Sequence, residues 1–142
     1  MGVFKLMKKV FLAGIIQGSK QDNSINSQDY RQMIIEALSN ARTEFEIFDP
    51  FKGNECSVGY DDEKGKETFF GAIYKISECD LLIAFLPQAS LGTAVEIWEA
   101  YKKGIPVWTI SNMKANWVIK FCSEKVFENV ESFREYLENG DA

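Results

Sequence analysis

Asp80-Leu81-Leu82-Ile83-Ala84-Phe85-Leu86 decides the fold: six apolar residues in a row after one acid, with no polar position between them. A run this short and this uniform reads as a strand buried on both faces, as in a parallel sheet. Pro87 to Gly92 then turns the chain. Residues 93–103 read as a helix, Gly104 closes it, and Pro106-Val107-Trp108-Thr109-Ile110 reads as the next strand. Strand, helix and strand in that order make a parallel β-α-β unit.

The same alternation is present upstream. Lys9-Val10-Phe11-Leu12-Ala13-Gly14-Ile15-Ile16 is an apolar run that ends in the turn-rich Gln17-Gly18-Ser19-Lys20. Residues 27–42 place Met33, Ile34, Ala37, Leu38 and Ala41 at helical spacing, and Phe45-Glu46-Ile47-Phe48 is a short strand halted by Asp49-Pro50. Residues 52–66 are polar with three glycines and read as a loop and candidate lid. Phe69, Phe70, Ile73, Tyr74 and Ile76 give residues 67–77 a helical pattern, and a final helix is expected over 130–138. The expected fold is α/β: a five-stranded, doubly wound parallel sheet of flavodoxin-like order, with helices on both faces, formed by one domain over residues 1–142. Ligands of such sheets bind beyond the carboxyl ends of the strands. The Gly14–Lys20 and Pro87–Thr93 loops both lie at that edge.

Composition narrows the chemistry. The chain of 142 residues carries a formal charge of −5 with scattered basic residues, which argues against a nucleic-acid partner. No apolar run approaches the roughly 20 residues that cross a bilayer, and no secretory leader is recognisable, so a soluble cytoplasmic protein is expected. Cys56, Cys79 and Cys122 are odd in number and follow no metal-ligand spacing, so free thiols are expected and neither metal nor cofactor is. Histidine is absent altogether. Histidine triads and histidine general bases are thereby excluded, and acid–base work falls to Asp, Glu, Tyr, Cys or Lys.

Ser90-Leu91-Gly92-Thr93-Ala94-Val95-Glu96 opens the helix after the central strand. Its first-turn amides and the dipole suit a phosphate or carboxylate, and Ser90 and Thr93 add hydroxyls. Thr93 and Glu96 also fit a capping box, in which the Glu96 side chain would only reach back to the Thr93 amide. Against that, Glu96 is flanked by apolar residues expected to pack on the sheet, beside the ligand edge, which makes it a candidate nucleophile or base. Gly14, Ile16, Gln17 and Gly18 bring a second loop to that edge, although it is neither a P-loop nor a dinucleotide fingerprint.

Val10-Phe11-Leu12-Ala13-Gly14, Ala84, Ser90-Leu91-Gly92-x-x-x-Glu96 and Gly104-x-Pro106-Val107, in this order, resemble the nucleoside 2-deoxyribosyltransferase superfamily, and within it the 2′-deoxynucleoside 5′-phosphate N-hydrolases. The likeness spans roughly residues 8–121. It implies a homodimer or higher homo-oligomer with shared sites, a small nucleoside or nucleotide substrate, and cleavage of an N-glycosidic bond with Glu96 as the attacking carboxylate. It further implies that Ser90, Gly92, Gly14, Ile16, Gln17 and Gly18 hold the phosphate side, with Ser90 favouring a monophosphate. Asn116 matches the residue that a neighbouring subunit contributes. Two positions depart from the pattern. Phe11 replaces an aromatic hydroxyl, and Ala72 stands at or near an aspartate that assists departure of the base. Asp61, Asp62 and Glu67 are candidate substitutes. A base-exchanging transferase and a non-catalytic nucleotide-binding module remain as alternatives.

Overall fold

A computed structural model of the chain describes residues 7–16 and 25–139. Strand β1 (Lys8–Gly14) leads to helix α1 (Asp29–Ser39), and β2 (Phe45–Phe48) leads through a short 3-10 turn (Ser57–Gly59) to α2 (Asp62–Ile76). β3 (Leu81–Phe85), α3 (Leu91–Lys102), β4 (Val107–Ile110), α4 (Trp117–Cys122), β5 (Lys125–Phe127) and α5 (Val130–Glu138) follow. All neighbouring strands are parallel, in the order β2-β1-β3-β4-β5. This is the expected doubly wound α/β sheet.

Two apolar layers follow from the period of two in the strands. Val10 and Leu12 of β1, with Leu81 and Ile83 of β3, pack against Ile34 and Leu38 of α1 and Phe133 and Leu137 of α5. Phe11 and Ala13, with Leu82 and Ala84, face the other way onto Ile76, Ile97, Ala100 and Ile119, from α2, α3 and α4. Burial on both faces is why β1 and β3 read as unbroken apolar runs. Asp80 is structural: its Oδ2 accepts from Lys9 N at 2.9 Å while its own N donates to Lys9 O at 2.7 Å, locking β1 to the start of β3.

Several details differ from the sequence reading. α2 begins at Asp62, within the stretch read as loop, because Asp61 caps it by accepting from Lys64 N at 2.8 Å. Its charged first turn sits at the positive end of the helix dipole, so no apolar spacing marks it. The fifth strand is Lys125–Phe127, and α4 spans six residues; both are too short for a periodic signal. Met33 is half exposed rather than buried. On α3 only Thr93, Ile97 and Ala100 are buried, while Val95 and Trp98 face outward rather than packing on the sheet.

Candidate functional site

The carboxyl end of β1, Arg31 of α1, the residues after β2, one side of α2 and the start of α3 line a cavity of about 400 Å³. That volume suits a ligand of nucleotide size. Six of the residues singled out from the sequence for the ligand edge line it: Gly14, Ile16, Ser90, Gly92, Thr93 and Glu96. They come from two separated stretches brought together by the pairing of Gly14 with Phe85 across β1 and β3. Gln17 and Gly18 lie outside the described residues. Asn116 is not in the cavity of its own chain; it caps α4, its Oδ1 accepting from Val118 N at 3.0 Å.

The capping box on Thr93 and Glu96 is overturned. Ser90 is the N-cap of α3, its Oγ accepting from Thr93 N at 3.3 Å, so the helix starts three residues earlier than that reading requires. Glu96 is therefore in the second turn, with its carboxyl on the cavity wall rather than on the helix end. The amides of Leu91 and Gly92 belong to the open first turn, and a Cβ built on Gly92 would meet nothing within 4 Å. Beside them, Thr93 Oγ1 is buried and has no hydrogen-bond partner among the described residues. Thr93 is among the residues that line the cavity, and a buried hydroxyl without a partner calls for an explanation.

Burial raises the Glu96 carboxyl to about 8, and the Arg31 guanidinium pulls it partly back. Glu96 keeps some exposure as a residue, through the cavity mouth, but its carboxyl is surrounded by protein atoms. Arg31, from α1, was not apparent in the sequence. It is 4% exposed, lines the cavity, and is paired with Asp49 Oδ1 at 2.6 Å. Tyr30 beside it donates to Ile15 O at 2.9 Å, and burial pushes its phenol above the ordinary range. Tyr30 also explains Gly14: a Cβ there would lie 2.4 Å from the Tyr30 hydroxyl. Gly14→Ala is expected to destabilise the fold by about 1–3 kcal/mol, and thermal denaturation measures it.

The lining from α2 and the segment after β2 is neutral. Ala72 is part of it, as are Phe51, Asn54, Tyr60 and Thr68, with Tyr60 Oη donating to Asn54 Oδ1 at 2.8 Å. None of Asp61, Asp62 and Glu67 lines the cavity, so the substitutes expected for the missing aspartate are not there. Trp98, Tyr101, Trp108 and Trp117 do not line it either. Trp108 is core, and the other three lie on the outer surface of α3 and α4. Cys79 and Cys122 sit in the second apolar layer, where burial raises both thiols.

The family model for nucleoside 2-deoxyribosyltransferases matches residues 10–133, which include the whole described cavity. The chain belongs to this enzyme family. Its fold is shared with the 2-deoxyribosyltransferase of the psychrotolerant bacterium Bacillus psychrosaccharolyticus, at a TM-score of 0.64 and 18% identity over 90% of this chain and 91% of that one. A conserved protein of Enterococcus faecalis V583 is similar at a TM-score of 0.64 and 20% identity, over 94% and 99% of the two chains. No curated protein sequence matches. Membership in the deoxyribosyltransferase family thus rests on the sequence model, and the solved structures support its fold. Among the described residues no helix is long and apolar enough to cross a membrane.

Proposed function

We propose that this deoxyribosyltransferase-family protein hydrolyses the N-glycosidic bond of a nucleoside 5′-monophosphate through a covalent intermediate on Glu96. The observation that carries the reading is the meeting of Glu96 with the Ser90–Gly92 turn and Gly14–Ile16 in one nucleotide-sized cavity. The Glu96 carboxylate attacks C1′ as the C1′–N bond breaks, and the base leaves with the bonding pair and takes up a proton. Water then attacks C1′, the ester bond to Glu96 breaks, and the carboxylate is restored. Net, water gives a proton to the base and hydroxide to the sugar. This is the two-step logic of retaining glycosidases.

Phosphate is favoured over a free 5′-hydroxyl by the α3 N-terminus, the Ser90 hydroxyl and the unpartnered Thr93 Oγ1. No acid on that turn would repel it. A panel of ribo- and deoxyribonucleosides with their 5′-monophosphates, scored by chromatography for free base, tests the reading. Release from monophosphates only is the expected result. Formation of a new nucleoside when a second base is supplied would favour the transferase. Tight binding without any base release would favour a binding module, a reading drawn from Ala72 in the cavity wall.

The active unit is proposed to be a homodimer. Leu91, Val95, Trp98 and Tyr101 on α3 and Trp117, Val118 and Phe121 on α4 are exposed apolar residues on adjacent helices of one face, with Leu91 87% and Trp117 75% exposed. Such a patch on a chain of this charge is suited to a second copy. A dimer would also give Asn116, which serves no cavity in its own chain, a neighbouring site to enter. Trp98→Glu is expected to weaken self-association by about 100-fold or more, as measured by sedimentation, and to lower turnover with it.

A further inference from the structure

Arg31 is the one charged side chain buried to 4% among the described residues, and its surroundings are unusually complete. Its Nη1 donates to Asp49 Oδ1 at 2.6 Å and its Nε to Gln28 Oε1 at 2.7 Å, with longer contacts to the carbonyls of Leu12 and Gly14 at 3.4 Å. The rings of Tyr30 and Phe51 lie 5.1 and 5.2 Å from its guanidinium carbon. Asp49 is itself fixed, accepting from Phe51 N at 2.9 Å. A buried guanidinium held this firmly is costly to desolvate, and an ion pair alone often stabilises less than an apolar substitute would. A purely structural ion pair would leave unexplained why this one opens onto the cavity that contains Glu96.

We propose that Arg31, clamped by Asp49, is a positioning residue that serves as the fixed counter-charge of Glu96 and keeps that carboxylate available in an apolar wall. The proposal rests on the reading of Glu96 as the nucleophile. Guanidinium does not deprotonate in proteins, so it supplies the same charge at every working pH. No other cation lines the cavity among the described residues. Among the described residues the groups facing Glu96 are few. α1 supplies Tyr30 and Arg31, the segment after β2 supplies Asp49 behind Arg31 and Tyr60 in the cavity lining, and the cavity side of α2 supplies no titrating group. On α3 itself Glu99 is occupied by Lys102 at 3.1 Å and Lys103 at 3.6 Å. Against the larger effect of burial, Arg31 is the charge that acts on Glu96, and Asp49 holds that charge from behind. On this proposal the two partners of one ion pair have opposite effects on a third group, which a scaffolding role would not produce.

The test is a carbon-13 titration of the Glu96 side-chain carboxyl in the full chain, its signal identified by its loss in Glu96→Gln. Arg31→Gln is expected to raise the midpoint by a unit or more, a tenfold change in the ionisation constant. Arg31→Lys, which keeps the charge, should stay within half a unit, and Asp49→Asn should lower the midpoint by freeing the guanidinium field. The acid limb of kcat/KM should move in the same order. An unchanged midpoint in folded Arg31→Gln, or shifts of the same sign in Arg31→Gln and Asp49→Asn, would overturn the proposal. Should Arg31→Gln fail to fold, Asp49→Asn decides: a midpoint that does not fall overturns it. Opposite shifts with no base release from any substrate would uphold the counter-charge and refute only the nucleophile.

Discussion

Glu96→Gln is expected to cut base release by about 10⁴- to 10⁶-fold and, in the same protein, to raise the melting temperature at pH 8. The first effect follows because an amide cannot form the glycosyl ester and, among the described residues, no second carboxylate lines the cavity to replace it. The second follows from linkage. The Glu96 carboxyl is raised from 4.5 to about 8 in the folded chain, so between those values the folded state holds a proton that the unfolded state has lost. Stability therefore falls as pH rises through that window, by up to about 1.4 kcal/mol per pH unit. Gln carries no charge and escapes the penalty. The gain should be absent near pH 4.5 and reach roughly 2–4 kcal/mol by pH 8, several degrees in Tm. Calorimetry of both proteins at the two pH values, alongside the base-release assay, checks each arm. Loss of activity without any pH-dependent gain would mean that Glu96 is not in a desolvated site.

Stability surrendered at a functional carboxylate is a common bargain, and here the sequence shows only half of it. Glu96 was legible because an acid interrupts an apolar helix just after a small-residue turn. Its environment was not. The capping box that competes with function fits the spacing of Thr93 and Glu96 perfectly well, and only the N-cap at Ser90 puts it out of register. Arg31 carries no local signal, since its neighbours Gln32 and Glu36 are polar and Arg42 looks much the same in sequence. What distinguishes it is Asp49, brought to it by the pairing of β1 with β2 and the packing of α1 on that sheet. Asp49-Pro50 read simply as a strand stop. The structure gives the Asp49 carboxylate two further tasks, on the Phe51 amide and on Arg31. By contrast the sheet order was readable from β1 and β3, whose two-sided burial leaves unbroken apolar runs. β5 and α4 were not, being three and six residues long. The departure at Ala72 was visible in the sequence, yet its consequence needed the cavity. The wall there is neutral, and none of the three acids nearest in sequence turns inward.

That neutral wall shapes the pH dependence. The kcat/KM of the wild-type protein is expected to rise along a single limb with a midpoint near 8, because the free-enzyme profile reports the ionisation of Glu96. Below the midpoint the ionised fraction falls tenfold per unit, so activity at pH 6 should be about one-hundredth of the plateau. A bell shape would need a second group that must be protonated. Among the described residues no other carboxyl lines the cavity, and Tyr30, pushed above the ordinary tyrosine range by burial, stays protonated throughout the accessible pH. With no enzymic acid among those residues, water is expected to supply the proton, or a base that is a good leaving group departs as the anion. Initial rates at low substrate from pH 5.5 to 9.5 check this. A falling limb within that range would show that an enzymic acid protonates the base after all. A profile flat across pH 8 would remove Glu96 from the rate-determining ionisation, and with it the reason for a buried cation at Arg31.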